Sequence, residues 1–221
     1  MRTRSLAVTS WDGYVERWSA LHGGFDPRHA SFLVRGWLFF VYWLSTRLAK
    51  LPLTPNAVTA TGLILSVAVP LVTWPGAAWP IAAAGLVVAS AVADTADGAL
   101  AVVTGRSSRL GWVYDSVADR LSEACWAVAL VLAGAPVWLA AASAGVAWLH
   151  EYLRARATAG GMTEVGAVTV AERPTRVIVV VVALVASVLW STSVTIATAI
   201  WLTLGLVALF QLLHTIRRTL R

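Results

Sequence analysis

The chain has 221 residues, of which 58% are hydrophobic and 13% charged, and its mean hydropathy is +0.74. That composition excludes an ordinary soluble enzyme and a disordered chain and points to an integral membrane protein. A net charge of +6 and a pI of about 10.4 would also suit a nucleic-acid binder, but the basic residues fall in clusters between apolar runs. Such clusters fit anionic headgroups or phosphorylated substrates, so no nucleic-acid partner is expected.

The opening MRTRSLAVTSWDGYVERW lacks an apolar core ahead of a small-residue cleavage site, so the start is expected to stay in place. Residues 30–50, ASFLVRGWLFFVYWLSTRLAK, hold an apolar stretch between Arg35 and Arg47 that is only about half a membrane span. Flanked by arginines and rich in Trp and Phe, the segment is expected to lie along the surface as an interfacial amphipathic helix. LTPNAVTAT follows as a turn and helix start, in which Pro55 disfavours helix at Thr54 and Asn56 can cap the next helix.

Six apolar runs then approach or exceed the roughly 20 residues needed to cross a hydrocarbon core: 57–74, 80–102, 109–133, 137–157, 175–190 and 194–213. The fold class expected is all-α, a polytopic protein of six transmembrane helices (51–221) preceded by a cytoplasmic segment with the interfacial helix (1–50). WPGAAWP, GAP and STS connect runs without a charge, and Trp74, Trp79, Trp138 and Trp190 flank them as an outer aromatic belt would. Arg106, Arg109, Arg154, Arg156, Arg173, Arg176, Arg217, Arg218 and Arg221 occupy the other connections and the tail. The positive-inside rule therefore places these connections and both termini on the cytoplasmic side of the cell membrane. Cys125 is the only cysteine, which excludes an intrachain disulfide and a cysteine-built zinc site. His22, His29, His150 and His214 show no metal-ligand spacing.

Asp94, Asp97, Asp115 and Asp119 stand where hydrocarbon would be expected. An Asp costs about 2.5–3.5 kcal/mol at the centre of a span, less near its end, and clustered carboxylates also repel. Asp94 and Asp97 share a helix face with Gly98 and Ala101, and Asp115 and Asp119 continue a line begun by Gly111. Two antiparallel helices joined by TGRSSRL can bring the four together. A structural network with Arg106, Arg109 and Arg120 would explain the charges but not the small residues beside them. A divalent-cation site explains both, and hard oxygen donors favour Mg²⁺ or Mn²⁺, ions that bridge substrate phosphates.

Residues 94–119 read D-x2-D-G-x2-A-V-x8-G-x3-D-x3-D. This resembles the signature of the CDP-alcohol phosphatidyltransferases, D-x2-D-G-x2-A-R-x8-G-x3-D-x3-D, with Val102 in place of the arginine. The resemblance extends to LTPNAVT and the six-span layout. It implies an enzyme of phospholipid synthesis that transfers a phosphatidyl or other substituted phosphoryl group from a CDP-alcohol, such as CDP-diacylglycerol, to an alcohol and releases CMP. By the same resemblance Asp94, Asp97, Asp115 and Asp119 would ligate two Mg²⁺ or Mn²⁺ ions, and Asp119 would also be the general base. The donor would contact Asp94, Asp97, Gly98, Ala101, Arg106, Gly111 and Asp115, and the protein would be a homodimer among membrane lipids. Val102 leaves open a different CDP-linked donor or a catalytically silent member of the fold.

YLRARA followed by AERPTR looks like the matching stretch of actinobacterial phosphatidylinositol phosphate synthases, whose acceptor is an inositol phosphate. In that comparison Arg154, Arg156, Arg173 and Arg176 would face the acceptor phosphate, with Arg217 or Arg218 as further candidates. Glu151 departs from the small polar residue usual there, so another polyol, glycerol phosphate, serine or a lipid stays open. A cation transporter using the aspartates is the rival from another class, yet residues 137–213 hold no second copy of the Asp pattern of the kind a repeat transporter shows.

Overall fold

The computed structural model describes residues 10–21, 26–30, 32–74, 79–162 and 169–220; the chain start, the middle of WPGAAWP and part of the 150–182 stretch lie outside the described residues. Among the described residues the secondary structure is helical, with no strand. The helices are α1 (Trp11–Leu21), α2 (Phe32–Leu48), α3 (Pro55–Thr73), α4 (Pro80–Thr104), α5 (Arg109–Leu132), α6 (Val137–Ala159), α7 (Arg173–Ser187) and α8 (Thr192–Thr219), with a 3-10 turn at Pro27–His29. The six apolar runs correspond to α3 through α8. Helix α8 continues past the apolar run through Arg217 and Arg218.

Length and composition qualify α3, α4 and α8 to cross a membrane. Helices α5 and α6 have 24 and 23 residues, but ionisable side chains dilute their apolar character. Helix α7 has 15 residues, short of a straight span of about 20. Ile64 (68% exposed), Leu71 (68%) and Phe210 (73%) point large apolar groups outward from α3 and α8. Repeated outward apolar faces of this kind suit a lipid solvent, and the protein is a membrane protein.

The helix ends follow local chemistry. Thr54, rather than Asn56, caps α3: its Oγ1 accepts the Ala57 N–H at 3.2 Å, while Pro55 takes the first helical position, where its missing N–H costs nothing. This corrects the expected role of Asn56, which is instead exposed and lines a cavity. Helix α4 ends at Gly105, whose φ of 64° allows the chain to reverse. There Gly105 N–H donates to the Val102 carbonyl and Arg106 N–H to the Ala101 carbonyl, the two bonds of a Schellman end. Ser108 then caps α5 by accepting the Gly111 N–H at 3.0 Å. Only Arg106 and Ser107 separate these signals, so α4 and α5 are joined by a tight reversal.

By packing the chain divides into two compact units: Met1–Leu63 with Ser90–Asp119, and Ile64–Ala89 with Arg120–Arg221. In the first, Tyr14, Val15, Val41, Val58, Ala96, Ala99, Leu100, Val102 and Val103 form a buried core. Gly62 lets α3 close on α4, since a Cβ there would meet the Ala93 Cβ at 3.3 Å and the Ser90 carbonyl at 3.4 Å. Ser45 of α2 donates to the Ala96 carbonyl at 3.2 Å, and Tyr42 of α2 meets Trp11 edge-to-face and Tyr14 at a tilt, with ring centroids 5.5 and 5.2 Å apart.

In the second unit the core gathers Trp126, Leu130, Val180, Leu184, Val194 and Trp201. Helix α8 packs on α6 and α7. Ser143 of α6 donates to the Thr198 carbonyl of α8 at 3.2 Å, and a Cβ at Gly205 would meet Val146 at 3.0 Å. Small residues and hydroxyls at helix crossings are what membrane helix packing uses, because lipid leaves little hydrophobic drive for association.

Candidate active site

The first unit holds a cavity of about 350 Å³ among α1, α2, the start of α3, the end of α4 and the start of α5. That size falls within the roughly 300–1,000 Å³ of small-molecule sites. Asp94, Asp97 and Asp115 line it, as do Gly98, Ala101, Arg106 and Gly111. Gly98 is exposed, and a Cβ built there would meet nothing within 4 Å. Gly111 is different: a Cβ would come within 3.0 Å of the Ser108 Oγ and 3.4 Å of the Asn56 Oδ1. One glycine leaves room at the cavity, and the other lets α5 approach the start of α3.

Asp94, Asp115 and Asp119 each offer a carboxylate oxygen, and the three oxygens lie within 4.8 Å of one another. All three side chains are half-buried. The i, i+4 spacing of Asp115 and Asp119 puts both on one face of α5, and the tight Gly105–Ser108 reversal returns that face toward Asp94. Asp97 does not join this set of three. It is buried, and its carboxylate accepts a hydrogen bond from Thr59 of α3. Thr59 was invisible to sequence spacing: it lies 38 residues away, and only the packing of α3 on α4 joins the two. Three hard oxygen donors around one point, with no sulfur or imidazole, fit a hard divalent cation such as Mg²⁺ or Mn²⁺.

The arginines expected to face the acceptor, Arg154, Arg156, Arg173 and Arg176, lie in the second unit. Arg176 is 2% exposed and donates to Glu123 Oε1 at 2.6 Å, to Glu151 Oε1 at 2.9 Å and to the Ala171 carbonyl at 2.8 Å. Arg154 forms a two-pronged pair with Glu172 at 2.7 and 3.1 Å and lies 3.7 Å from Glu151. Arg120 reaches Glu123 at 3.2 Å and Glu151 at 3.7 Å. Arg173 stacks over Trp126 at 5.8 Å, and Arg156 is exposed. Arg154 and Arg176 thus meet around Glu151. Arg120, which the disfavoured structural network would pair with the aspartates, pairs with these glutamates, and Arg106 and Arg109 are exposed.

Glu123 was not singled out by the sequence; it sits one turn past Asp119 on α5 and is fully buried. Outside the helices, Glu172 is also well held. Burial raises its pKa, but the Arg154 guanidinium and the Thr169 N–H and hydroxyl more than offset this, leaving the carboxyl below the ordinary glutamate range.

Over residues 52–210 the chain matches the CDP-alcohol phosphatidyltransferase family. The chain belongs to that family. It is 33% identical over 138 residues to the archaetidylinositol phosphate synthase of Pyrococcus horikoshii, covering 62% of this chain and 71% of the relative. To the phosphatidylinositol phosphate synthase of Mycobacterium marinum it is 34% identical over 145 residues, covering 62% of this chain and 60% of that one. With the same-named enzyme of Mycobacteroides abscessus it shares 31% identity over 186 residues, 79% of this chain and 82% of that one.

Two crystal structures of the Mycobacterium tuberculosis phosphatidylinositol phosphate synthase share the fold, each with a TM-score of 0.69 and 27% identity over 80% of this chain. The first, 88% covered, is a complex with manganese and citrate; the second, 92% covered, has CDP-DAG bound. Family membership makes this protein a CDP-alcohol phosphatidyltransferase, and the aspartate cluster is its candidate metal centre.

Proposed function

We propose that the protein transfers the phosphatidyl group of CDP-diacylglycerol to a hydroxyl of a polyol phosphate such as inositol phosphate, with release of CMP. The observation that carries this reading is the meeting of Asp94, Asp115 and Asp119 beside a cavity lined by Gly98, Ala101 and Gly111. The names of the relatives support the acceptor class.

In this reading Asp94, Asp97, Asp115 and Asp119 hold two Mg²⁺ or Mn²⁺ ions. Bound there, the cations would neutralise the phosphate oxygens of the donor and the charge that grows on departing CMP. Asp119 takes the proton from the acceptor hydroxyl as that oxygen attacks the donor phosphorus, and the bond from phosphorus to the CMP oxygen breaks. Gly98, Ala101 and Gly111 give the donor close approach to the helices, and Arg106 contacts it from the loop. Thr59 positions Asp97. On the acceptor side, Arg156 and Arg173 contact the phosphate, while Arg154 and Arg176 are set in place by Glu172, Glu123 and Glu151.

The membrane arrangement belongs to the same proposal. Helices α3 to α8 cross six times as one domain from residue 51, α2 lies in the interface, and the termini and site face the cytoplasm. The exposed Trp74, Trp79, Trp138 and Trp190 support an outer aromatic belt. The functional unit is a homodimer.

The test uses purified protein in lipid nanodiscs with CDP-diacylglycerol and Mg²⁺ or Mn²⁺, following CMP by mass spectrometry over a panel of alcohols and polyol phosphates, with Asp119→Asn as control. Metal-dependent release with a polyol phosphate, absent in the variant, is the expected result. Release only with serine, glycerol phosphate or a lipid would replace the acceptor, and a folded protein that releases none would sink the reaction itself.

A further inference from the structure

The residues that match the family begin at 52, yet the cavity is not built from those residues alone. Trp18 of α1 and Leu38 of α2 line it from the segment that precedes the match. Val102 lines it too, at the position where the family signature has arginine. Val102 is only 5% exposed and belongs to the buried apolar cluster that Tyr14 and Val15 of α1 and Val41 of α2 complete. Trp18 is half-buried and packs against the same cluster. One side of the cavity is therefore an apolar wall to which α1, α2 and the end of α4 contribute, and a charged side chain at 102 would have to sit within that cluster.

A nucleotide-linked donor presents two chemically different ends to such a cavity. Its diphosphate seeks the cation-holding carboxylates, whereas its base has flat apolar faces that gain most from an aromatic surface. Two indoles line the cavity, Trp18 and Trp112. Trp112 is 59% exposed on α5, while Trp18 is fixed by its packing, so the entropy of ordering it is already met before the donor arrives. Building on the donor assigned above, we infer that Trp18 is a donor-binding residue: its indole, backed by Val102, covers the pyrimidine base of the CDP donor, and α1 is thereby a functional part of the site.

The test compares Trp18→Ala, Trp18→Phe and Trp112→Ala in the full-length chain in nanodiscs. Three quantities are measured: the Kd for CDP in the presence of Mn²⁺ by calorimetry, KM for donor and acceptor with kcat, and the melting temperature. Loss of a base–aromatic stack weakens binding by about tenfold or more. Trp18→Ala should raise the CDP Kd and the donor KM by that factor, leave the acceptor KM unchanged and change kcat by less than about threefold. Trp18→Phe should recover most of the loss, and Trp112→Ala should raise the CDP Kd by less than Trp18→Ala does.

An unchanged CDP Kd in folded Trp18→Ala, or a loss that appears in Trp112→Ala instead, overturns the role of Trp18 while leaving the reaction intact. If Trp18→Ala fails to fold, Trp18→Leu, which keeps the bulk but not the ring, decides against Trp18→Phe at wild-type melting temperature: a CDP Kd raised about tenfold in the Leu variant and less than about threefold in the Phe variant upholds the stack, and equal Kd values in the two reduce Trp18 to packing. Wild-type protein that binds no CDP and releases no CMP overturns the donor reading and this inference together.

Discussion

The two charged regions of the molecule solve opposite problems with the same residue types. In the first unit Asp94, Asp115 and Asp119 bring carboxylate oxygens within 4.8 Å of one another, a set of hard donors that a divalent cation would stabilise. In the second, Arg120, Arg154 and Arg176 alternate with Glu123, Glu151 and Glu172 at 2.6–3.7 Å. A buried charge beside its opposite needs no ligand, and such a network fixes geometry. The contrast separates a cluster of carboxylates that could hold a cation from a network in which each carboxylate is paired with arginine.

The largest effect expected is at Asp119. Asp119→Asn should lower CMP release by about 10²–10⁴-fold, the range of a lost general base, with little change in melting temperature. A drop below tenfold would move the base elsewhere. In the second unit the damage should fall on stability instead. Arg176→Met should cost about 3–5 kcal/mol in chemical unfolding, because Glu123 is left buried beside fewer positive charges; adding Glu123→Met should recover part of it.

Manganese titration sharpens the comparison further. At 100 times its Kd the ion should add about 2.7 kcal/mol of stability, visible as a rise in melting temperature that disappears in Asp94→Asn and persists in Glu151→Gln. Equal loss in both would erase the distinction between the regions. Gly98→Ala should split stability from activity. With nothing within 4 Å of the new Cβ, it should gain up to about 1 kcal/mol from helix propensity while raising the donor KM.

The smallest effect is the pH dependence of Glu172. Its folded pKa lies below the unfolded value, so its contribution is fully present above the ordinary glutamate pKa of about 4.3. It is lost as pH falls through the folded pKa. Glu172→Gln should flatten the acid limb of the stability profile by well under the Arg176 effect, since both partners are partly exposed. An unchanged acid limb would show that the pair with Arg154 contributes nothing measurable.

The sequence by itself determined much of this protein. Apolar runs bounded by turn residues indicated where α3 to α8 lie, and α3, α4 and α8 are long and apolar enough to cross a membrane. The spacing of Asp94, Asp115 and Asp119, with Gly105 and Ser108 closing one helix and opening the next, fixed the cluster through local geometry. Tertiary structure alone decided what joins distant segments. It gave Asp97 its Thr59 partner, paired Arg176 with Glu123 across 53 residues, and brought Trp18 to the wall of the cavity that Val102 also lines. These contacts follow no period along the chain; they arise where helices pack, and packing depends on the complementary shapes of residues far apart in sequence.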